Sequence, residues 1–415
     1  MAKNYPHKIL SASLMVFMAW ISFIPEPIQY RYRFSVYLAL ALCLTLSLYS
    51  HKFNWKGYFL RKTDFMLWLY FLLLSLNIWF AKDKHLALNS YRDLVIPGFL
   101  IYFIFKNEVG VVNLKKILYF FCLCAGVVSL IGILEMITCF NIIYNKYIQN
   151  YFFSRFIGQR MMSTLMHPNI LGAYLISSLP FSYYFCRSKY SRKKKVLNYL
   201  LFGLFICAVF LTFSRGTWLA CFGLLSIWLW IKNKRTWIIL PWMIFLGFSV
   251  LASLSFFGHD IQWRFGIIGL RDYLKYGHRT VNYIVTWDIF KAHPFMGIGL
   301  GHYRMFFDQY SKIALDYEVK IPDSIYLMHL AETGLTGFMG LMLMLTYNLK
   351  AAWVSYKNET FDKKEIIFIV LMSFLGLLLN MATFDGFLWR TPFYLFWILL
   401  SLLNITEKRP LEKIC

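Results

Sequence analysis

Few side chains in this 415-residue sequence can do acid–base or anion chemistry, and they gather in three places. The first is Ser214-Arg215-Gly216, the sole interruption of an apolar stretch over 196–231 that is too long for one membrane span. A tight turn there, with Gly216 supplying unusual backbone angles, makes Arg215 a fixed cation between two buried helices. Its guanidinium either snorkels to lipid headgroups or grips a phosphate bidentately. The second place is the polar stretch from His259 to Gly337, where Arg264, Arg271, Lys275, His278, Arg279 and Arg304 have few acids nearby. Arg279 is favoured for anion binding because it opens the amphipathic run RTVNYIVTWDIFKAHP. Val281, Ile284 and Val285 on one side of that run fix its position relative to a membrane. Arg304 ranks second: it follows GIGLGHY, whose glycines permit close backbone approach to a ligand.

The same stretch ends in PDSIYLMHLAETGLTG, which brings acid–base groups into a helix. Asp323, following Pro322, fits either a helix N-cap or a general base. His329 and Glu332, three residues apart, share a helix face. At about 1.5 Å per residue Glu332 lies roughly 13 Å from Asp323 and points to nearly the opposite side, so the two carboxylates have separate jobs. An ionisable pair at that depth of a membrane helix faces the protein interior or a wet cavity and marks function. The third place is His167-Pro168-Asn169, at the mouth of another helix. His167 is a base, a sugar contact or an interfacial histidine without a chemical role, and Asn169 and His302 are further candidates for sugar contact.

A membrane bundle must position these residues. Hydrophobic residues form 59% of the chain and mean hydropathy is +0.54, a surplus that repeated spans must absorb. Apolar runs at about 9–24, 34–50, 65–80, 94–105, 117–139, 168–186, 196–213, 216–231, 236–257, 325–347, 366–384 and 393–404 predict about twelve transmembrane helices in one all-α membrane domain over 1–415. The two shortest, 94–105 with Pro97-Gly98 inside and 393–404, are the ones expected to be broken, tilted or re-entrant. Lys52, Lys56, Arg61 and Lys62, then RSKYSRKKK at 187–195, KNKR at 232–235, and Lys350, Lys357, Lys363 and Lys364 fall in alternate loops. The positive-inside rule makes that side cytoplasmic, together with both termini.

On the other face lie the long loop 258–324, expected to carry amphipathic helices, and the loop 141–169, expected to hold an interfacial helix. The formal charge of +23 reads as a topology signal and attraction to anionic lipid, not to nucleic acid, because no basic soluble domain carries it. The eight cysteines avoid 259–337, which excludes a disulfide-stapled outer domain and a thiolate metal site there. The N-terminal apolar run, closed by Pro25-Glu26-Pro27 without a small-residue cleavage site, reads as a retained first span. No Walker motif and no metal-type histidine pair occurs, so ATP-driven transport and zinc hydrolysis lose support, and neither cofactor nor metal is expected.

The motifs HPNILGAYL, FSRG, RTVNYIVTWDIFKAHPFMGIGLGHY and PDSIYLMHLAETGLTG, in that order and spacing, resemble those of the Wzy_C superfamily of bacterial O-antigen ligases and polymerases. The resemblance covers most of the chain. It implies a metal-independent, membrane-embedded glycosyltransferase of the bacterial inner membrane, acting on the periplasmic face. The donor would be a glycan on undecaprenyl diphosphate, and the acceptor a sugar hydroxyl on lipid A core in ligases or on another lipid-linked glycan in polymerases. Arg215 and Arg279 stand at the positions that bind diphosphate in the family. Many members read His-Asn where this chain has Asp323-Ser324, and the histidine is proposed to activate the acceptor in ligases. Here Asp323 takes the proton, or His329 does, or the step needs little base. A transporter or lipid flippase is the reading from another class, and it would spread polar residues through several helices near the midplane.

Overall fold

The computed structural model describes residues 5–50, 58–109, 111–138, 160–187, 191–234, 237–253, 277–316, 319–359 and 361–404. These are α-helical with no strand among them. In chain order the helices are α1 (Tyr5–Phe23), α2 (Glu26–Arg31), α3 (Arg33–Ser50), α4 (Lys62–Phe80), α5 (Lys84–Glu108), α6 (Val111–Thr138), α7 (Pro168–Arg187) and α8 (Arg192–Leu211). They continue as α9 (Arg215–Ile231), α10 (Ile239–Ser253), α11 (His278–Ala292), α12 (Tyr303–Tyr310), α13 (Ile325–Asn358), α14 (Phe361–Met381) and α15 (Arg390–Leu403). Each of the twelve apolar runs falls on a helix, and six of the helices are long and apolar enough to cross a membrane by length and composition. Of the loop 141–169, expected to hold an interfacial helix, residues 141–159 lie outside the described residues, as do Arg264, Arg271 and Lys275, and the described end of that loop holds a 3-10 turn over Ser163–Leu165 before α7 begins.

The two shortest runs behave differently from expectation. The run 94–105 is the second half of α5, a continuous helix through Pro97 whose N-cap, Asp83, accepts the amides of His85 and Leu86. It continues because tertiary packing supports the proline turn: Gly98 lies so close to Trp397 that a Cβ would meet the indole at 2.5 Å. The run at 393–404 is short because it is central. Its helix α15 is buried along its whole length and packs against α5, α7 and α14, so it need not reach lipid on any side. At one end of the bundle a buried Lys106–Asp64 pair at 2.6 Å and the Asn404–Asn348 amide bond at 2.6 Å tie α4, α5, α13 and α15 together. Each polar group there has a partner, as burial in a low dielectric demands.

At the other end α13 is broken. Gly334 adopts φ 60°, ψ −160°, leaving the carbonyls of Ala331 and Glu332 and the amides of Leu335 and Thr336 without helical partners. The segment after α11 supplies all four. Ile298 and Gly299 donate to Ala331 and Glu332 at 3.1 and 2.9 Å, while Leu335 and Thr336 donate to Pro294 and Phe295 at 2.8 and 3.1 Å. The glycines of GIGLGHY, expected to admit a ligand, thus admit the protein's own helix: a Cβ on Gly297 would lie 2.4 Å from the Glu332 backbone. Asn77 of α4 seals the crossing by donating to Met296 and Glu332 carbonyls and accepting from the Leu300 amide.

Gly334→Ala should therefore destabilise the fold by about 1–3 kcal/mol, because its Cβ would meet Phe295 O at 2.4 Å and its φ disfavours any L side chain. Thermal unfolding of the purified protein in detergent checks this. Gly203→Ala, where a Cβ meets nothing within 4 Å, serves as control and should leave the midpoint unchanged or raised.

Candidate active site

A cleft forms where α7 and α9 begin and α14 ends. At the α8–α9 turn the left-handed residue is Phe213, at φ 44°, so the reversal does not rest on Gly216. Gly216 is needed for packing instead: a Cβ there would sit 2.1 Å from Thr383 Oγ1. Ser214 caps α9 by accepting from the Thr217 amide, and its hydroxyl donates to Asn169 Oδ1 at 3.0 Å. The same oxygen accepts from Arg160 Nη2 at 3.1 Å, and Arg160 Nε donates to the Thr212 carbonyl at 2.9 Å. Arg160, Asn169, Arg215, Arg279, Asn380 and Thr383 then line one open cleft with about 290 Å³ of empty space. Three guanidiniums from distant segments face that space, and the N-terminal amides of α9 add to its positive potential.

Arg279 is held by Asp323, whose Oδ2 accepts from Arg279 Nε at 2.6 Å and lies 3.5 Å from His278 Nε2. Burial pushes the Asp323 carboxyl up, but the Arg279 and His278 charges and hydrogen bonds outweigh it and hold the group below the usual carboxylate range. Ser324, not Asp323, caps α13 by accepting from the Leu327 amide. The amphipathic run of α11 also divides differently from expectation. Val281 and Val285 pack inward with Ile289, Tyr303 and Phe307, whereas Ile284 stands outward with Tyr283 and Trp287.

Three of the predicted acid–base or sugar-contact residues are committed within the protein. His329 is buried, with Nδ1 donating to the Ile325 carbonyl at 2.9 Å and Nε2 accepting from Tyr70 at 2.8 Å, so neither ring nitrogen has a lone pair or proton to spare. His302 is fully buried, with Nδ1 donating to Leu300 O at 2.9 Å and Nε2 accepting the Asp83 amide at 3.1 Å. Glu332 accepts the Tyr303 amide at 3.1 Å and so belongs to the crossing at Gly334. His167 is half-buried, stacked on Trp389 and Phe384 with ring centroids 5.3 and 6.0 Å away, and its Nδ1 accepts the Asn169 amide. Arg304, on α12, lies near enough for its charge to act on both Glu332 and Asp385.

Asp385 was not among the residues expected from sequence. It sits between α14 and α15, immediately after Phe384 of the cleft, and is the only carboxylate between Glu365 and Glu407. Oδ1 accepts the Phe387 amide at 3.1 Å, while the buried Oδ2 has no hydrogen-bond partner among the described residues. Burial pushes its carboxyl up to about 7; the Phe387 and Leu388 amides and the Arg304 charge oppose this, and the charge of Asp323 reinforces it. Arg160 was likewise missed, although it lies seven residues before His167 in a segment rich in arginine and aromatics.

The fold and the cleft define a class: a helical membrane protein with an arginine-lined cleft and a buried carboxylate at one end of the bundle. Residues 200–342 match the family model described as O-Antigen ligase, Wzy_C, and this match supports that family. The family comprises membrane glycosyltransferases of the ligase and polymerase type. The matched segment contains Arg215, Arg279, Asp323 and Glu332, and leaves Arg160 and Asp385 outside. A search of curated proteins finds no match.

If the cleft binds anions, inorganic diphosphate should raise the melting temperature of the purified protein. Arg160→Ala, which removes a charge-assisted contact valued at about 1.5–3 kcal/mol, should raise the half-saturating concentration roughly tenfold or more. An unchanged titration would remove Arg160 from the site.

Proposed function

We propose that the protein transfers a glycan from undecaprenyl diphosphate to the hydroxyl of an acceptor sugar, as an O-antigen ligase-like enzyme of the bacterial inner membrane. The observation that carries this reading is the convergence of Arg160, Arg215 and Arg279 on one cleft whose lining ends at Phe384, the residue before Asp385. All twelve long helices span the membrane in this reading. Both termini are cytoplasmic and the cleft opens on the periplasmic face, which the lysine-rich loops on the other side support.

In the reaction the bond between the anomeric carbon and the diphosphate oxygen breaks, and the acceptor oxygen bonds to that carbon. The three guanidiniums neutralise the diphosphate as it leaves, an interaction that strengthens as charge develops on the departing oxygen. The acceptor's proton needs a carboxylate with a free lone pair and a pKa near the working pH. Asp385 meets both requirements. Asp323, favoured from sequence, is better suited to holding Arg279 in place, since its charge is already paired.

Polymerisation, with a second lipid-linked glycan as acceptor, is the alternative within the family. A flippase is disfavoured because the guanidiniums that line the cleft concentrate at one end of the bundle instead of spreading through several helices near the midplane. Transfer from purified undecaprenyl-diphosphate glycan, offered lipid A core and a second lipid-linked glycan in separate reactions, decides between ligase and polymerase by product. No product with either acceptor, alongside lipid-linked glycan accumulating on the inner face of cells lacking the protein, would rule for the flippase.

In that assay Arg215→Ala should lower kcat by roughly 10²–10³, the usual effect of removing one preorganised charge-stabilising donor. The wild-type rate should rise with pH through about 7 as the Asp385 carboxyl loses its proton. Asp385→Asn should be slow and lack that limb; a profile that keeps it would assign the base elsewhere.

A further inference from the structure

A second cationic cluster occupies the same end of the bundle. Arg33 at the start of α3, Arg92 in α5 and Arg390 at the start of α15 converge on Asp93. Arg92 Nη2 lies 3.1 Å from Oδ1, and Arg33 Nε and Arg390 Nη2 lie 3.3 and 3.4 Å from Oδ2. The other carboxylate nearby, Glu26, has both oxygens turned to the Arg390 and Thr391 amides, which it caps. Burial also pushes the Glu26 carboxyl up to about 7, so it offers only part of a charge. Three guanidiniums therefore share the Asp93 carboxylate, and Arg31 adds another cation at the exposed edge.

Partly buried charge without a counter-charge is costly, and an anion from outside would relieve it. The cluster is built to receive one. Arg33 Cζ stands 4.2 Å from the Tyr30 ring and 4.5 Å from Phe34, and Arg92 Cζ stands 4.9 Å from Phe34. Arg33 Nη1 donates to the Tyr30 carbonyl, Arg92 Nε to Asp93 and Arg390 Nη1 to the Tyr37 hydroxyl, so stacking and these bonds fix the guanidinium planes while their remaining N–H groups suit a planar or tetrahedral oxyanion. Arg390, with 8% of its surface exposed, keeps an Nε that has no hydrogen-bond partner among the described residues. Tyr30, Tyr32 and Phe34 remain about half exposed around the cluster, at the helix ends where aromatic rings meet lipid headgroups.

We propose that Arg31, Arg33, Arg92 and Arg390 form a second anion site, which takes the phosphate of a lipid headgroup. The binding itself does not depend on the transferase reading. If that reading holds, the site anchors a phosphate-bearing acceptor lipid.

The test uses the full chain purified in neutral detergent and titrated with phosphatidic acid, bound lipid being counted by native mass spectrometry. Diacylglycerol of the same chains and inorganic phosphate are separate arms. Arg31→Gln/Arg92→Gln, which leaves the more buried Arg33 and Arg390 in place, should raise the apparent Kd for phosphatidic acid at least about tenfold. Phe34→Ala removes the exposed ring beneath two of the guanidiniums and should weaken binding several-fold, which covers the case of a double variant that misfolds. Diacylglycerol should not bind specifically. Equal affinity in wild type and both variants overturns the site. Diacylglycerol binding as tightly as phosphatidic acid overturns the phosphate, and inorganic phosphate binding as tightly overturns the lipid. Arg215→Ala separates the two readings: it should retain phosphatidic acid, and if it also retained glycan transfer the donor cleft would fall while the second site stood.

Discussion

The helix break at Gly334 is the constraint on which the rest of the site depends. Breaking α13 exposes four backbone groups that cannot stay unpaired in an apolar surrounding. The segment 294–299 answers them one for one, and Asn77 binds both strands of the crossing. This fixes α11 and α12 relative to α13, and with them Arg279 and Arg304. The first turn of α11 is then carried to Asp323, whose ion pair aims Arg279 into a cleft otherwise built from α7, α9 and α14.

Two aspartates near that cleft show how surroundings divide one residue type into two roles. Asp323 is buried beside Arg279 and His278, so its charge is kept and its basicity is low. Asp385 is buried with an amide at one oxygen and nothing described at the other, so its proton is held to about neutral pH. The first suits holding a cation in place, the second suits taking a proton. The histidines sort in the same way. His329 and His302 each use one nitrogen as donor and one as acceptor inside the protein, and serve as fixed links between helices.

The two arginine clusters lie at the same end of the bundle, and the structure separates their logic. In the first cleft the guanidiniums line open space at a helix N-terminus. In the second they share one carboxylate and rest on aromatic rings, a surface matched to the headgroup zone.

Hydrophobic runs and their interruptions placed every long helix, because burial in hydrocarbon selects apolar residues continuously along a segment. The same logic singled out Arg215 and Arg279, charges that an apolar chain keeps only for a reason, and the motif order pointed to the family. What the sequence could not reveal depends on partners far apart in the chain. Pro97 is carried inside a helix by packing near Trp397, His329 is occupied by Tyr70, Asp323 is neutralised by Arg279, and Arg160 meets Asn169 and Thr212 only after α7 and α8 have packed. Whether a polar residue is a base, a ligand contact or a link is set by which groups reach its lone pairs. In this protein those groups arrive from other helices, so only the tertiary structure decided it.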